Sequence, residues 1–266
     1  MKTLFLILMT QFFLASTLVL AEDSVTATQA LATMDIQAMS RNGKLEMTPI
    51  VRPKEDIKLD QRFQSAIVDG LSHIKSEDQA SSAITETFNP ILKYFDDKYS
   101  RSDFKIFSAH SSEAALLYAM KGATEHEKVL VISKTWAEAN YAKGFALFEL
   151  GQLGEAKYYL TKALALSPFN ATYLFELGQI LLREKNWQQA LITFKSGKQW
   201  LSLTEPAVKT MLQAGLDRSI GIALIETGQL DEAEAIYRQL LAENENDEKS
   251  RNELAYIQKL RNELNH

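Results

Sequence analysis

Ser72-x-x-Lys75 is the spacing in this chain that comes nearest to a nucleophile, a serine hydroxyl with a lysine three residues on to take its proton. An extracytoplasmic hydrolase or carbohydrate-active protein with its site in the N-terminal region would use such a pair. The companion motifs are missing, because Lys134-Thr135 is followed by Trp136 rather than glycine. Metal chemistry fares no better: Glu125, His126 and Glu127 are consecutive and cannot share one helix face. The remaining histidines, His73, His110 and His266, stand in no H-E-x-x-H spacing. The chain has no cysteine, which removes thiolate ligands, a catalytic thiol and disulfides together. No G-x-G-x-x-G or P-loop exists, Gly151-x-x-Gly154 reading as a helix-hairpin turn, and Asn170-x-Thr172 is a glycosylation sequon in an inter-repeat turn that matters only in a eukaryotic source. No catalytic residue, metal site or cofactor is expected.

The elements that must carry any function are helical. Among 266 residues there are 11 Gly and 5 Pro, about 6% of the chain, half the usual roughly 12%. So little turn chemistry disfavours β-sandwiches and Pro/Gly-rich disorder. With 29 basic against 34 acidic residues the net charge is −5, and no basic stripe exists to neutralise phosphates, so nucleic acid is not an expected partner.

The first 21 residues read as an address. Lys2 is followed by the uncharged run Thr3 to Ala21, and Val19-Leu20-Ala21 places small residues at both signal-peptidase positions, with Glu22 beginning the mature chain. A periplasmic or secreted protein without stable membrane insertion is expected; the alternative is anchoring by an uncleaved N-terminal helix.

Residues 22–58 read as an extended arm or linker, with Arg41-Asn42-Gly43 and then Pro49 and Pro53, four apart, blocking a stable helix over Lys44 to Lys54. A helical region spanning 59–134 comes next. Leu59, Phe63, Ile67, Leu71 and Ile74 recur at helical spacing, and Asn89-Pro90 opens another helix with Ile91, Leu92 and Phe95 on its apolar face. Ser111 to Met120 reads as a short helix stopped by Gly122, and Thr124 with Glu127 as the capping box of the next, so the pair forms a degenerate hairpin.

Beyond residue 135 the chain repeats itself. Gly144 and Gly178 are 34 residues apart, as are Ala156 and Ala190, and Leu160 and Phe194; the offsets recur as Gly221, Ala233 and Tyr237. Gly and Ala at these places let two antiparallel helices approach closely, with the large residues filling the flanks. Gly151 and Gly228 lie seven residues after their repeat glycines, where a left-handed residue would end the first helix, and Lys185 stands there in the middle copy. Gly221 follows Gly178 by 43 residues, nine more than the repeat length. Val208, Met211, Leu212, Leu216 and Ile220 keep helical period through the insertion, so it lengthens the first helix by roughly 14 Å.

Leu174-x2-Leu177-Gly178-x2-Leu181 with Ala190-x3-Phe194 resembles the tetratricopeptide repeat, W-x2-L-G-x2-Y followed by A-x3-F and P. Lys143-Gly144-x2-Leu147 with Ala156-x3-Leu160 and Pro168 is a second copy, and Ile220-Gly221-x2-Leu224 with Ala233-x3-Tyr237 a third. Asn140 and Asp217 depart from the pattern where a large apolar residue is favoured, and Ser202 and Glu245 where Pro is. The resemblance implies an all-α right-handed solenoid of stacked antiparallel helix hairpins, preceded by the irregular arm and the helical region. Its repeats run over 135–246 (about 137–170, 171–204 and 205–246), with 247–266 as a C-terminal capping helix. It further implies a non-enzymatic adaptor or scaffold whose first helices wall a groove for a peptide or helix of another protein. Projected here, that groove takes Tyr141, Phe145, Phe148, Phe175, Gln179, Arg183, Arg218 and Ile222, with Glu149, Leu182 and Ile225 beside them. The family's carboxylate-gripping Lys and Asn pattern is absent. Self-assembly into a homodimer through the long third-copy helix is a further expectation.

Overall fold

A computed structural model describes residues 33–41, 43–204 and 206–264. The expected signal peptide over 1–21 lies outside the described residues. The chain divides into two compact units, residues 33–72 with 89–139, and residues 73–88 with 140–264.

The first unit corrects the expectation of an all-α chain led by an irregular arm. It holds a four-stranded sheet of β1 (Met34–Arg41), β2 (Lys44–Val51), β3 (Lys105–Ala109) and β4 (Val129–Ser133), in the order β2-β1-β4-β3. β1 and β2 form an antiparallel hairpin in which Arg41 pairs with Lys44, and Gly43 takes φ 74° in the turn. Asn-Gly between two alternating runs is a strong hairpin signal. Pro49 blocks a helix as expected yet sits inside β2, where an edge strand loses nothing by its missing N–H. The unit's helices are α1 (Lys54–Ser72), α3 (Asn89–Tyr99) and α4 (Ser112–Thr124). Another helix, α2 (Glu77–Ser82), belongs to the second unit and continues into a π-helical turn over Ala83–Phe88.

α4 runs past Gly122, and the next element is the buried strand β4 rather than a capped helix. Gly122 is required by packing: a Cβ there would fall 1.8 Å from Val129 Cγ2. β3 and β4 are parallel, joined through α4, and Phe107 of β3 stacks on Tyr118 of α4 with ring centroids 5.3 Å apart. Arg52 is buried and satisfied by Asp60 at 3.1 Å and Asp35 at 3.7 Å, while Ser133 Oγ donates to Asp60 at 2.9 Å. Burial, partly offset by Arg52, pushes the Asp35 carboxyl up to about 6.

The second unit is helical. α5 (Thr135–Glu149) enters it from Asn140 onward, followed by α6 (Leu153–Leu166), α7 (Ala171–Arg183), α8 (Trp187–Gln199), α9 (Pro206–Glu226), α10 (Leu230–Glu243) and α11 (Glu248–Leu264). Asn170 caps α7 by accepting from the Thr172 and Tyr173 amides. The apolar core runs from Ala171 through Phe194, Leu216 and Tyr237 to Ile257, so consecutive hairpins share one interior.

The repeat glycines lie where helices touch. A Cβ on Gly178 would fall 2.3 Å from the ring of Phe194, one on Gly221 2.5 Å from the ring of Tyr237, and one on Gly144 3.0 Å from Leu160. Gly151 and Gly228 end their helices at φ 71° and 78°, and Lys185 adopts φ 57° at the same place, a left-handed conformation that side chains disfavour.

Gly178→Ala should therefore destabilise by about 1–3 kcal/mol, since Phe194 has no exposed side to move into. Gly154→Ala, with nothing within 4 Å, should be neutral or stabilising. Urea midpoints at unchanged slope distinguish the two.

Candidate functional site

The sequence-projected groove residues all lie on first helices, α5, α7 and α9, and none of the eight is fully buried. Their chemistry divides them. Tyr141, a turn before Phe145 on α5, stacks on Tyr173 at 5.0 Å and meets Phe145 at 6.4 Å. Phe148 carries the guanidinium of Arg183 over its ring at 3.9 Å, a cation–π contact that orders both side chains while leaving Arg183 exposed. These four residues form an aromatic and cationic patch across α5 and α7.

The other four have structural partners as well. Phe175 is half-buried 6.0 Å from Phe194, and a Cβ on Gly215 would be 3.3 Å from its ring, so it wedges α7 against α9. Gln179 Nε2 donates to Ser219 Oγ at 2.8 Å, tying the same two helices. Arg218 reaches Asp247 with two N–H groups at 3.1 and 3.0 Å, and Asp247 also accepts from the Ser250 hydroxyl at 2.8 Å. Burial acts to raise the Asp247 carboxyl, but the bonds from Ser250 and Arg218 prevail and hold it below the ordinary range. Ile222 is half-buried and faces Asn252 and Tyr256 of α11 across a cleft.

Two residues the sequence expectation passed over change the character of this wall. Glu176 lies on α7 between Phe175 and Gly178, and burial followed by repulsion from Glu149 pushes its carboxyl up to about 7. Burial followed by Glu176 in turn raises the Tyr141 phenol. Glu253 of α11 is raised in the same way, by burial and then by Glu226. Among the described residues no cation pairs with any of these four glutamates. The signal was present in the repeat: Glu149 and Glu226 each stand five residues after a repeat glycine. Glu176 precedes Gly178 by two, and Glu253 precedes Ala255 by two, Ala255 lying 34 after Gly221.

Ser72 ends α1 with its hydroxyl donating to the Asp69 carbonyl at 2.8 Å, the common fate of a helix-terminal serine. The described residues hold no group of three or more potential metal ligands and no helix long and apolar enough to cross a membrane.

Two tetratricopeptide-repeat models match the chain, one over residues 141–199 and the other over 219–247. No curated protein matches it. Among solved structures, a putative kinesin light chain with TPR-like repeats from Podospora anserina is similar at 15% identity, over 77% of this chain and 88% of that one, with a TM-score of 0.52. MamA from Desulfovibrio magneticus aligns at 18% identity over 66% and 86%, TM-score 0.42. The first TPR of Spaghetti (RPAP3) bound to an HSP90 peptide aligns at 22% identity over 47% and 91%, TM-score 0.37. The chain thus carries tetratricopeptide repeats, an architecture that generally serves as a non-catalytic scaffold for protein interaction.

The raised Glu176 carboxyl has a measurable consequence. A folded-state value above the ordinary 4.5 means that ionisation opposes folding, so the penalty is absent at pH 4, grows between pH 4.5 and 7, and is complete above 7. Glu176→Gln should stabilise by about 1 kcal/mol at pH 8, the carboxylate being partly screened by solvent, and change nothing at pH 4. Urea unfolding at the two pH values reads the difference.

Proposed function

We propose that the chain is a non-enzymatic adaptor of the extracytoplasmic space that holds a segment of another protein on the wall formed by α5, α7 and α9. The observation that carries this is the patch of Tyr141, Phe145, Phe148 and Arg183, which combines aromatic anchors with a cation on a rigid helical surface. Tyr, Phe and Arg on preorganised backbone supply binding energy at little entropic cost. Phe175, Gln179, Arg218 and Ile222 complete the proposed wall, Phe175, Gln179 and Arg218 serving mainly to fix the helices that present it. The tetratricopeptide-repeat matches support the reading, since partner binding by such arrays uses whole helix faces rather than a pocket. The extracytoplasmic location rests on the run from Thr3 to Ala21 and its Ala-ended cleavage site.

Self-association is a second reading, favoured by the first six residues of α9. Pro206 to Met211 are all exposed, with Met211 at 75% and Val208 at 40% of their full accessibility. A dimer that Met211→Lys abolishes in sedimentation would establish it.

For the adaptor reading, the tagged chain expressed with its leader should appear in the extracytoplasmic fraction with a mature mass beginning at Glu22. A partner cross-linked to it there should be lost when Phe145→Ala and Phe148→Ala are combined, with helical circular dichroism retained. A folded double variant that keeps its partner defeats the assignment of the wall, and a mass that includes residues 1–21 defeats the cleavage.

A further inference from the structure

The far end of the wall is a cleft of about 400 Å³ between α9 and α11, lined by Ile222, Ile225, Glu226, Asn252, Glu253 and Tyr256. Its floor is apolar, Tyr256 is 44% exposed beside it, and its rim carries two carboxylates. Glu226 and Glu253 form no ion pair or hydrogen bond with any described residue. Of the cations near them in sequence, Arg218, a turn before Ile222, is committed to Asp247 and Arg251 to the Glu245 carbonyl, while Lys249, a turn before Glu253 on α11, is exposed and forms no ion pair with it. Burial and the facing Glu226 both disfavour the ionised form of Glu253, so the cleft keeps an unneutralised acidic rim over an apolar base.

The arrangement recurs at the corresponding register of the repeat. Glu149 and Glu176 stand in the places that Glu226 and Glu253 hold, five residues after one repeat glycine and two before the next helix-contact position. Between the two pairs, the same register is filled by Arg183 and Ser219. The wall therefore alternates acidic, basic and acidic along the stack, and its acidic stations are the ones without a partner.

We propose that the cleft seats a partner segment presenting a large apolar side chain next to a lysine or arginine, the apolar group against Ile222, Ile225 and Tyr256 and the cation between Glu226 and Glu253. A second basic residue of the same segment meets Glu149 and Glu176. This rests on the reading of the wall as a partner-binding surface and names the chemistry of the partner. Charge complementarity carries it: a cation entering between two carboxylates relieves their repulsion as well as pairing with them, whereas an acidic segment would add a third like charge. A bare divalent cation fits poorly, because hard metals require six or more oxygens and most of this lining supplies carbon.

The test uses the full mature chain as bait for a displayed library of random 12-residue peptides. Selected peptides are synthesised with a fluorescein label and titrated by anisotropy against the wild type, Glu226→Gln with Glu253→Gln, Tyr256→Ala, and Phe145→Ala with Phe148→Ala, each checked for native circular dichroism. The expected binders carry Lys or Arg beside Leu, Ile, Phe or Trp. Their Kd should rise tenfold or more in the double Gln variant and several-fold in Tyr256→Ala, and rise with salt for the wild type. Tyr256→Ala removes apolar contact without changing charge, so it tests the cleft even if the double Gln variant were unstable. Acidic or uncharged binders lost only in the Phe145 and Phe148 variant would overturn this inference and leave the adaptor reading standing. No binder, or binders indifferent to every variant, would sink both.

Discussion

The contact between a bare glycine backbone and a large side chain 16 residues later sets the geometry of the helical unit. Phe194 lies on Gly178 and Tyr237 on Gly221 at separations that leave no room for a Cβ, and Leu160 lies more loosely on Gly144. Each contact fixes where its two helices cross. Because the first pair of glycines is 34 residues apart, each hairpin presents the next with the same surface, and the shared core from Ala171 to Ile257 results from stacking those surfaces. The wall inherits this order. Residues five after one glycine and two before the next contact position come to face each other, which is why Glu149 meets Glu176 and Glu226 meets Glu253.

Two fates of a carboxylate in this unit show how strongly the neighbour decides. Asp247 is buried, yet Arg218 and Ser250 hold its carboxyl low and make it a clasp between α9 and the start of α11. Glu176 is half-buried facing Glu149 and near the Tyr141 phenol, and its carboxyl rises to about 7. A protein that neutralises one buried acid with two N–H bonds and leaves others facing like charges has separated structural from available electrostatics. Arg218 belongs to the first group despite its place in the projected groove, and Arg183, resting on Phe148 with its face exposed, belongs to the second. The departures from the repeat pattern obey the same logic: Asp217, standing where a large apolar residue is favoured, is buried against Lys198 at 2.5 Å.

The helical unit was legible because its determinants are local and periodic. A glycine, an alanine twelve residues on and a large residue four beyond lie within one hairpin, and three copies reinforce each other. The sheet was not, because its determinants are distant. Ile36 of β1 pairs with Val131 of β4, and no periodicity of either segment announces the other. A five-residue run such as Val129 to Ser133, four apolar residues and a serine, carries too few turns of any period to separate a buried strand from a helix start. The Asn-Gly step was a usable local signal, whereas the prolines at 49 and 53 correctly excluded a helix without indicating an edge strand. Gly122 looked like a helix stop because a glycine needed for close packing and one needed for a cap are the same residue in the sequence. The acidic pairs fell between these cases: the repeat offsets encode them, but a single Glu at one register position does not announce the Glu it faces a hairpin later.

The nine-residue insertion shows what the repeat contact constrains. Extra residues ahead of Gly221 could have bulged as a loop, shifted the crossing or lengthened either end of α9. Gly228 lies seven residues after Gly221 with φ 78°, matching Gly151 after Gly144 at 71°, so the C-terminal end is held at the same distance from the crossing. Tyr237 on Gly221 holds the crossing itself. The added length can leave only through the N-terminal end, and there α9 begins with Pro206, whose missing N–H is harmless in a first turn. Six exposed residues then precede Leu212, the first to be buried. An isolated segment of that length would not nucleate a helix in water, but one continuous with packed turns needs only propagation. The projecting turns are thus a direct product of a contact that cannot move, carried by residues that make no part of it.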